Sequence, residues 1–273
     1  MTSAADRMGR TLPTTAGLGR TMLNKVPEVT IYFWVIKVMA TTVGETAADF
    51  LTGTAGMTLT VASLVVGALL VTVLAVQFRA RRYVPAAYWL AVVLISVVGT
   101  LITDNLVDDH GVALQTTTIV FAFALAATFA VWFASERTLS IHSITTHRRE
   151  AFYWLTILFT FALGTAAGDL ATEALSLGFT VGVLAFSAMI AAIWVAFRLG
   201  GNAVLTFWLA YILTRPLGAS LGDLLSQSRP NGGFGLGTVG TSLVFLVVIT
   251  SLVAFLSLTL RRTSPTTSEK VTS

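Results

Sequence analysis

Cysteine is absent from the 273 residues, which excludes a disulfide framework, a thiolate metal site and a thiol nucleophile. Charge is scarce as well: Asp, Glu, Lys and Arg together make up 11% of the chain. Histidine occurs at His110, His142 and His147 alone, and each falls between apolar segments rather than within one. The first 25 residues hold no apolar run, so no cleavable leader is expected and this basic, polar tail is expected to be disordered and retained.

What fills the chain is apolar side chain. It is 55% hydrophobic with a mean hydropathy of +0.82, more than a soluble globule can bury. Segments near or above the roughly 20 residues that cross a bilayer recur along the whole length. The composition therefore predicts an all-α integral membrane protein with no separate soluble domain and with the lipid bilayer as its first partner.

Internal self-similarity gives the organisation. Four segments align on tryptophan: WVIKVMATTVGETAAD from Trp34, WLAVVLISVVGTLITD from Trp89, WLTILFTFALGTAAGD from Trp154 and WLAYILTRPLGASLGD from Trp208. In every copy a glycine follows the tryptophan by ten residues (Gly44, Gly99, Gly164, Gly218) and an aspartate by fifteen (Asp49, Asp104, Asp169, Asp223). Only seven aspartates exist in the chain, so four at one offset mark internal duplication. The residue before each tryptophan is aromatic: Phe33, Tyr88, Tyr153 and Phe207.

A short polar turn and a second apolar segment follow each aspartate, at roughly 57–78, 114–135, 179–197 and 237–260. Each repeat thus reads as a two-helix hairpin, giving eight transmembrane helices in four tandem hairpins. The expected domain covers 27–262, with repeats near 27–82, 83–140, 147–200 and 201–262, between polar tails 1–26 and 263–273. Basic residues collect on one side: Arg7, Arg10, Arg20, Lys25, Arg79, Arg81, Arg82, Arg137, Arg148, Arg149, Arg198, Arg261, Arg262 and Lys270. The opposite loops offer Arg229 against Asp108, Asp109 and Glu173. By the positive-inside rule both termini are expected to be cytoplasmic.

This four-fold register resembles a family of bacterial membrane-anchored proteins built from four tandem copies of a repeat of unknown function, each with two transmembrane helices and a characteristic tryptophan. The resemblance covers about residues 26 to 262. It implies the eight-span architecture and a multi-pass location in the bacterial cytoplasmic (inner) membrane. It implies no activity, so function rests on the residues.

Fifteen residues of helix carry each aspartate about 22 Å from its tryptophan. The plain reading of Trp34, Trp89, Trp154 and Trp208 is an interfacial aromatic belt. Positions ten and fourteen are small or nearly so in each copy, a spacing that lets membrane helices approach closely. The aspartates read either as turn formers at the water interface or as ligands. Offsets 0, 4, 7, 11 and 15 share a helix face, so around a pseudo-four-fold axis the aspartates would converge, with Glu45 one turn deeper. Thr100, Thr165 and Ala219 take the glutamate's place in the other copies.

Lys37 and Arg215 fall deep in their spans, and each is expected to pair with Glu45 or an aspartate, because unpaired charge in lipid is costly. Pro216 removes a helix hydrogen bond, so its helix is read either as kinked or broken or as one of the membrane helices that tolerate proline. Oxygen ligands suit hard cations, protons or sodium. The first functional expectation is a transporter or channel for a small cation, divalent or proton- or sodium-coupled, through Asp49, Asp104, Asp169, Asp223 and Glu45. The alternative is a non-transporting scaffold or stress-response component whose charges form structural pairs. No nucleophile with a base is legible, so no enzyme, cofactor or nucleic-acid partner is expected.

Overall fold

The computed structural model describes residues 24–174 and 177–263 of the chain. The tails up to residue 23 and from 264, residues 175–176, and the side chains of Glu173, Ala174, Arg261, Arg262 and Thr263 lie outside the described residues. The described chain is all-helical, with eight long helices. These are α1 (Ile31–Asp49), α2 (Leu59–Arg79), α3 (Pro85–Asp104), α4 (Leu114–Glu136), α5 (His147–Asp169), α6 (Phe179–Arg198), α7 (Ala203–Ser226) and α8 (Gly237–Thr263).

Local sequence explains the starts. Thr30, Thr58 and Thr146 each accept a bond from the backbone amide three residues on, capping α1, α2 and α5. The Asn202 side chain accepts from the amides of Val204 and Leu205 at the start of α7, and Pro85 stands in the first turn of α3, where its missing N–H is no loss. Seven of the helices, α2 to α8, are long and apolar enough to cross a membrane. The exception, α1, carries Lys37, Glu45 and Asp49.

The first helices of the four copies, α1, α3, α5 and α7, pack side by side in a closed ring: α1 on α3, α3 on α5, α5 on α7, and α7 back on α1. The second helices form an outer layer. They do not fold back as simple hairpins: α2 packs mainly on α3, α4 on α5, α6 on α7, and α8 on α1. Each second helix therefore covers the inner helix of the following copy, and the last closes the circle on the first.

Three expected features come out differently. The aspartates do not lead straight into polar turns in the first three copies, because a single wider π-helical turn follows at Phe50–Thr54, Asn105–Asp109 and Leu170–Ala174. In the fourth copy α7 continues past Asp223 to Ser226 with α-type bonding, Gln227 N donating to Asp223 O at 2.9 Å. Pro216 does not break α7, which runs through it.

The third concerns the N-terminal tail, whose last residues are packed rather than free. Lys25 is buried, its ammonium 2.6 Å from Glu150 and 3.0 Å from the Phe78 carbonyl, while its backbone N–H donates to Ile144 O at 3.1 Å.

Candidate functional site

The four copies interlock by one rule repeated around the ring. The glycine at offset ten of each copy lies against the residue at offset seven of the next: Gly44 on Ser96, Gly99 on Phe161, Gly164 on Arg215, and Gly218 on Thr41. A Cβ at Gly99 would lie 2.7 Å from the Phe161 Cβ, and the other three glycines leave less room still. The small side chain is thus what brings the backbones together. Hydrogen bonds follow the same circuit, with Thr103 donating to Ala162 O at 3.1 Å and Thr41 donating to Thr214 O at 3.1 Å.

Inside this ring the offsets stack as layers along an axis. Arg215 is fully buried and reaches all three other copies. Its Nη2 donates to Glu45 Oε2 at 2.6 Å, to Thr165 Oγ1 at 2.7 Å and to Thr100 Oγ1. Its Nη1 donates to Thr41 O at 3.4 Å. Glu45, Thr100 and Thr165 hold the same repeat position, so one guanidinium cross-links the ring at one level. A charge pair with several further hydrogen bonds is the arrangement in which buried ions are tolerated.

Lys37 stands apart from this pair. It is expected to reach a carboxylate, yet its ammonium lies 4.0 Å from the Phe161 ring centroid and 4.3 Å from that of Tyr211, with no hydrogen-bond partner among the described residues. Arg215 already takes the buried Glu45, and what remains near Lys37 is the face of two rings. The contact is a cation–π one.

At one end of the axis the repeat aspartates come together. Asp49, Asp104, Asp169 and Asp223 all line one cavity of about 160 Å³, with Glu45, Thr103, Asp108 and Gln227 in the same wall. Glu45 therefore touches both the acidic cavity and Arg215. Among the described residues no three histidine or carboxylate groups stand together closely enough to hold one metal ion.

The other end is aromatic. The residue before each tryptophan lies against the tryptophan of the next copy: Phe33 on Trp89 at 5.6 Å between centroids, Tyr88 on Trp154 at 5.4 Å, Tyr153 on Trp208 at 6.2 Å, and Phe207 on Trp34 at 5.7 Å. The expected lipid-facing belt is thereby corrected. Trp89, Trp154 and Trp208 are buried, and Trp34 is half-buried in the same ring. The physical reason is that two adjacent aromatics on each inner helix can bridge to both neighbours only from inside the bundle.

Polar tips within this layer find partners: the Tyr88 and Tyr153 hydroxyls meet at 2.5 Å, Trp89 Nε1 donates to Tyr83 at 3.1 Å and Trp208 Nε1 to Leu139 O at 3.0 Å. Burial pushes the Tyr83 hydroxyl above the ordinary phenol range, against the opposing pull of the Trp89 bond, so it stays protonated.

The structure thus brings together Asp49, Asp104, Asp169, Asp223 and Glu45, joins Arg215 to Glu45, and keeps Lys37 separate. Sequence reasoning places Thr41 on the shared face at offset seven but missed Phe161 and Tyr211 as axis residues. The signal was present, since Phe161 shares the offset of Arg215, and Tyr211 that of Lys37. It also missed Trp132 on α4, which is buried against Trp208 at 5.9 Å.

The fold and site define a class: a four-repeat, eight-helix, membrane-compatible bundle with a charged axis. Residues 32–83, 87–138, 152–199 and 206–262 match the family described as Repeat of Unknown Function (DUF347), and the chain belongs to that family. Comparison with curated proteins and with solved structures yields no match.

Proposed function

We propose that the protein is a multi-pass membrane protein that carries a small cation along the axis of its ring, in the bacterial cytoplasmic (inner) membrane with both termini cytoplasmic. The observation that carries this reading is Glu45, shared between a cavity lined by four aspartates and the guanidinium that ties the four copies together. Ionisable groups inside membrane spans commonly mark ion pathways. The acidic cavity concentrates cations, and Glu45 accepts one when Arg215 lets go. A proton or sodium ion suits this better than a resident divalent metal, given how the carboxylates are spread. Charge distribution supports the orientation: Arg79, Arg81, Arg82, Arg148 and Arg149 lie at the end away from the aspartates. On this reading the chain catalyses no reaction and carries no cofactor.

A static reading also has an observation behind it. Both terminal nitrogens of Arg215 are bonded to the other copies, and a closed aromatic ring caps the axis. A scaffold whose charges are structural pairs has both features. Flux of protons, sodium and divalent ions into proteoliposomes separates the two. Transport predicts a cation flux that Glu45→Gln abolishes and that the combined Asp49, Asp104, Asp169 and Asp223→Asn variant reduces. A protein that folds and conducts no cation belongs to the second reading.

A further inference from the structure

A second charged feature lies at the opposite end from the aspartates and independently of the axis. An open cleft of about 970 Å³ forms where the end of α2 meets the start of α5, lined by Lys25, Phe78, Arg79, Arg81, Thr146 and His147 among others. The cations at this end of the molecule are unevenly compensated. Lys25 is matched by Glu150 at 2.6 Å, and Arg149 and Arg148 by Glu136 at 2.7 and 3.5 Å. Arg79 and Arg81 are exposed, and among the described residues neither makes an ion pair. Two uncompensated guanidinium groups therefore border a cleft that also receives the positive end of the α5 dipole at Thr146 and His147.

The walls say which anion fits. The His147 ring stacks on Phe78, 6.1 Å between centroids at 20° between planes, giving the cleft an apolar side. Above it, along α2, Val71 and Leu64 continue the helix face of Ala75 and Phe78 at four- and seven-residue spacings, 67% and 69% exposed. Arginine forks at the rim, helix amides behind and an outward apolar track leading away match a molecule with a phosphate at one end and hydrocarbon at the other.

We propose that this cleft binds the phosphate headgroup of an anionic phospholipid, with its acyl chains lying along α2. A free phosphate shares the headgroup chemistry but not the apolar track. The site is distinct from the acidic cavity and does not depend on whether an ion crosses the axis.

The test uses the full chain, delipidated in neutral detergent and mixed with phosphatidylcholine vesicles, the same vesicles containing phosphatidylglycerol, or inorganic phosphate. Bound lipid is read by native mass spectrometry and the unfolding midpoint is followed in parallel. Phosphatidylglycerol is expected to be retained and to raise the midpoint. The Arg79→Ala/Arg81→Ala variant should bind it roughly ten- to thirty-fold more weakly, about five-fold for each basic residue near an anionic surface. Arg79→Lys/Arg81→Lys should keep most of the binding, and Arg229→Ala, at the other end, all of it. Equal phosphatidylglycerol binding by the double alanine variant overturns the proposal. So does inorganic phosphate that raises the midpoint as much as the lipid.

Discussion

The inner and outer helices of this protein are built from the same repeat and have nearly opposite surroundings. In the most apolar windows of α3, α5 and α7, 67%, 61% and 56% of residues are buried, against 17%, 28%, 11% and 6% in α2, α4, α6 and α8. Every residue repeated at fixed offset belongs to the inner set, which carries the aromatic ring, the glycine contacts, the buried ion pair and the acidic cavity. The outer set supplies an apolar coat, with Leu64, Ile119, Phe123, Leu184 and Val247 mostly exposed. The difference teaches that the repeat specifies its neighbour. One face of each inner helix is matched to the next copy, and lipid-compatible surface needs only to be apolar, so the outer sequence is free to drift.

The comparison breaks most sharply at Arg215. Arg215→Ala strands Glu45 in the interior with one weak hydroxyl contact, Thr100 at 3.5 Å. The expected loss is about 3–5 kcal/mol, measured as unfolding in mixed micelles. The double variant Glu45→Gln/Arg215→Met removes both charges and should recover most of that loss. An Arg215→Ala protein of unchanged stability would show that the ring does not rest on this pair. No single outer-helix substitution of an exposed residue is expected to approach that effect.

Lys37 predicts the opposite sign. Its ammonium lies against two rings, with no hydrogen bond among the described residues to offset the desolvation of a buried charge. Lys37→Met should stabilise the bundle by about 1–4 kcal/mol, the range seen when buried ionic groups give way to packed apolar ones, less what the cation–π contact contributes. A gain in stability together with a loss of cation flux would mark Lys37 as retained for function. A loss of stability would mean the aromatic contact outweighs burial.

Much of this was legible in the sequence, and the boundary of legibility is physical. The Trp, Gly and Asp register fixes four copies, and helix periodicity puts offsets 7, 11 and 15 on one face, so the convergence of Asp49, Asp104, Asp169 and Asp223 follows once the ring closes. The inward turn of Trp89, Trp154 and Trp208 does not follow, because a tryptophan near a helix end satisfies a lipid interface and a bundle interior equally well. Nor could the partner of Lys37 be read: which rings it meets depends on the rotation of α5 and α7, set by contacts such as Gly164 on Arg215. That each second helix covers the next copy was equally hidden, since a short turn fixes chain adjacency but not which inner helix is covered.

Glycine tests the rule of close approach directly. A methyl group at Gly164 collides with the Arg215 side chain and comes within 3.1 Å of Pro216 Cδ, whereas at Gly67 on α2 nothing lies within 4 Å. Gly164→Ala should therefore destabilise by about 1–3 kcal/mol, as overpacking does. Gly67→Ala should be neutral or stabilise by up to about 1 kcal/mol through helix propensity. Equal effects at the two sites would remove the distinction between inner and outer helices.

The smallest expected effect is the finest probe of that distinction, because it concerns one hydroxyl. Thr103 shares its proton between its own helix, at Gly99 O, and the next copy, at Ala162 O, both at 3.1 Å. Thr72 on α2 is exposed and bonds Ala68 O of its own turn at 2.9 Å. Removing a hydroxyl that serves its own backbone costs little, since the helix carbonyl keeps its amide partner, while an interhelical bond in a membrane bundle is worth about 0.6 kcal/mol. Thr103→Val should cost about that amount and Thr72→Val close to nothing. If both substitutions are silent, the contact at Thr103 is held by shape, and the hydroxyls beside Arg215, those of Thr100 and Thr165, become the place where hydrogen bonding between copies is concentrated.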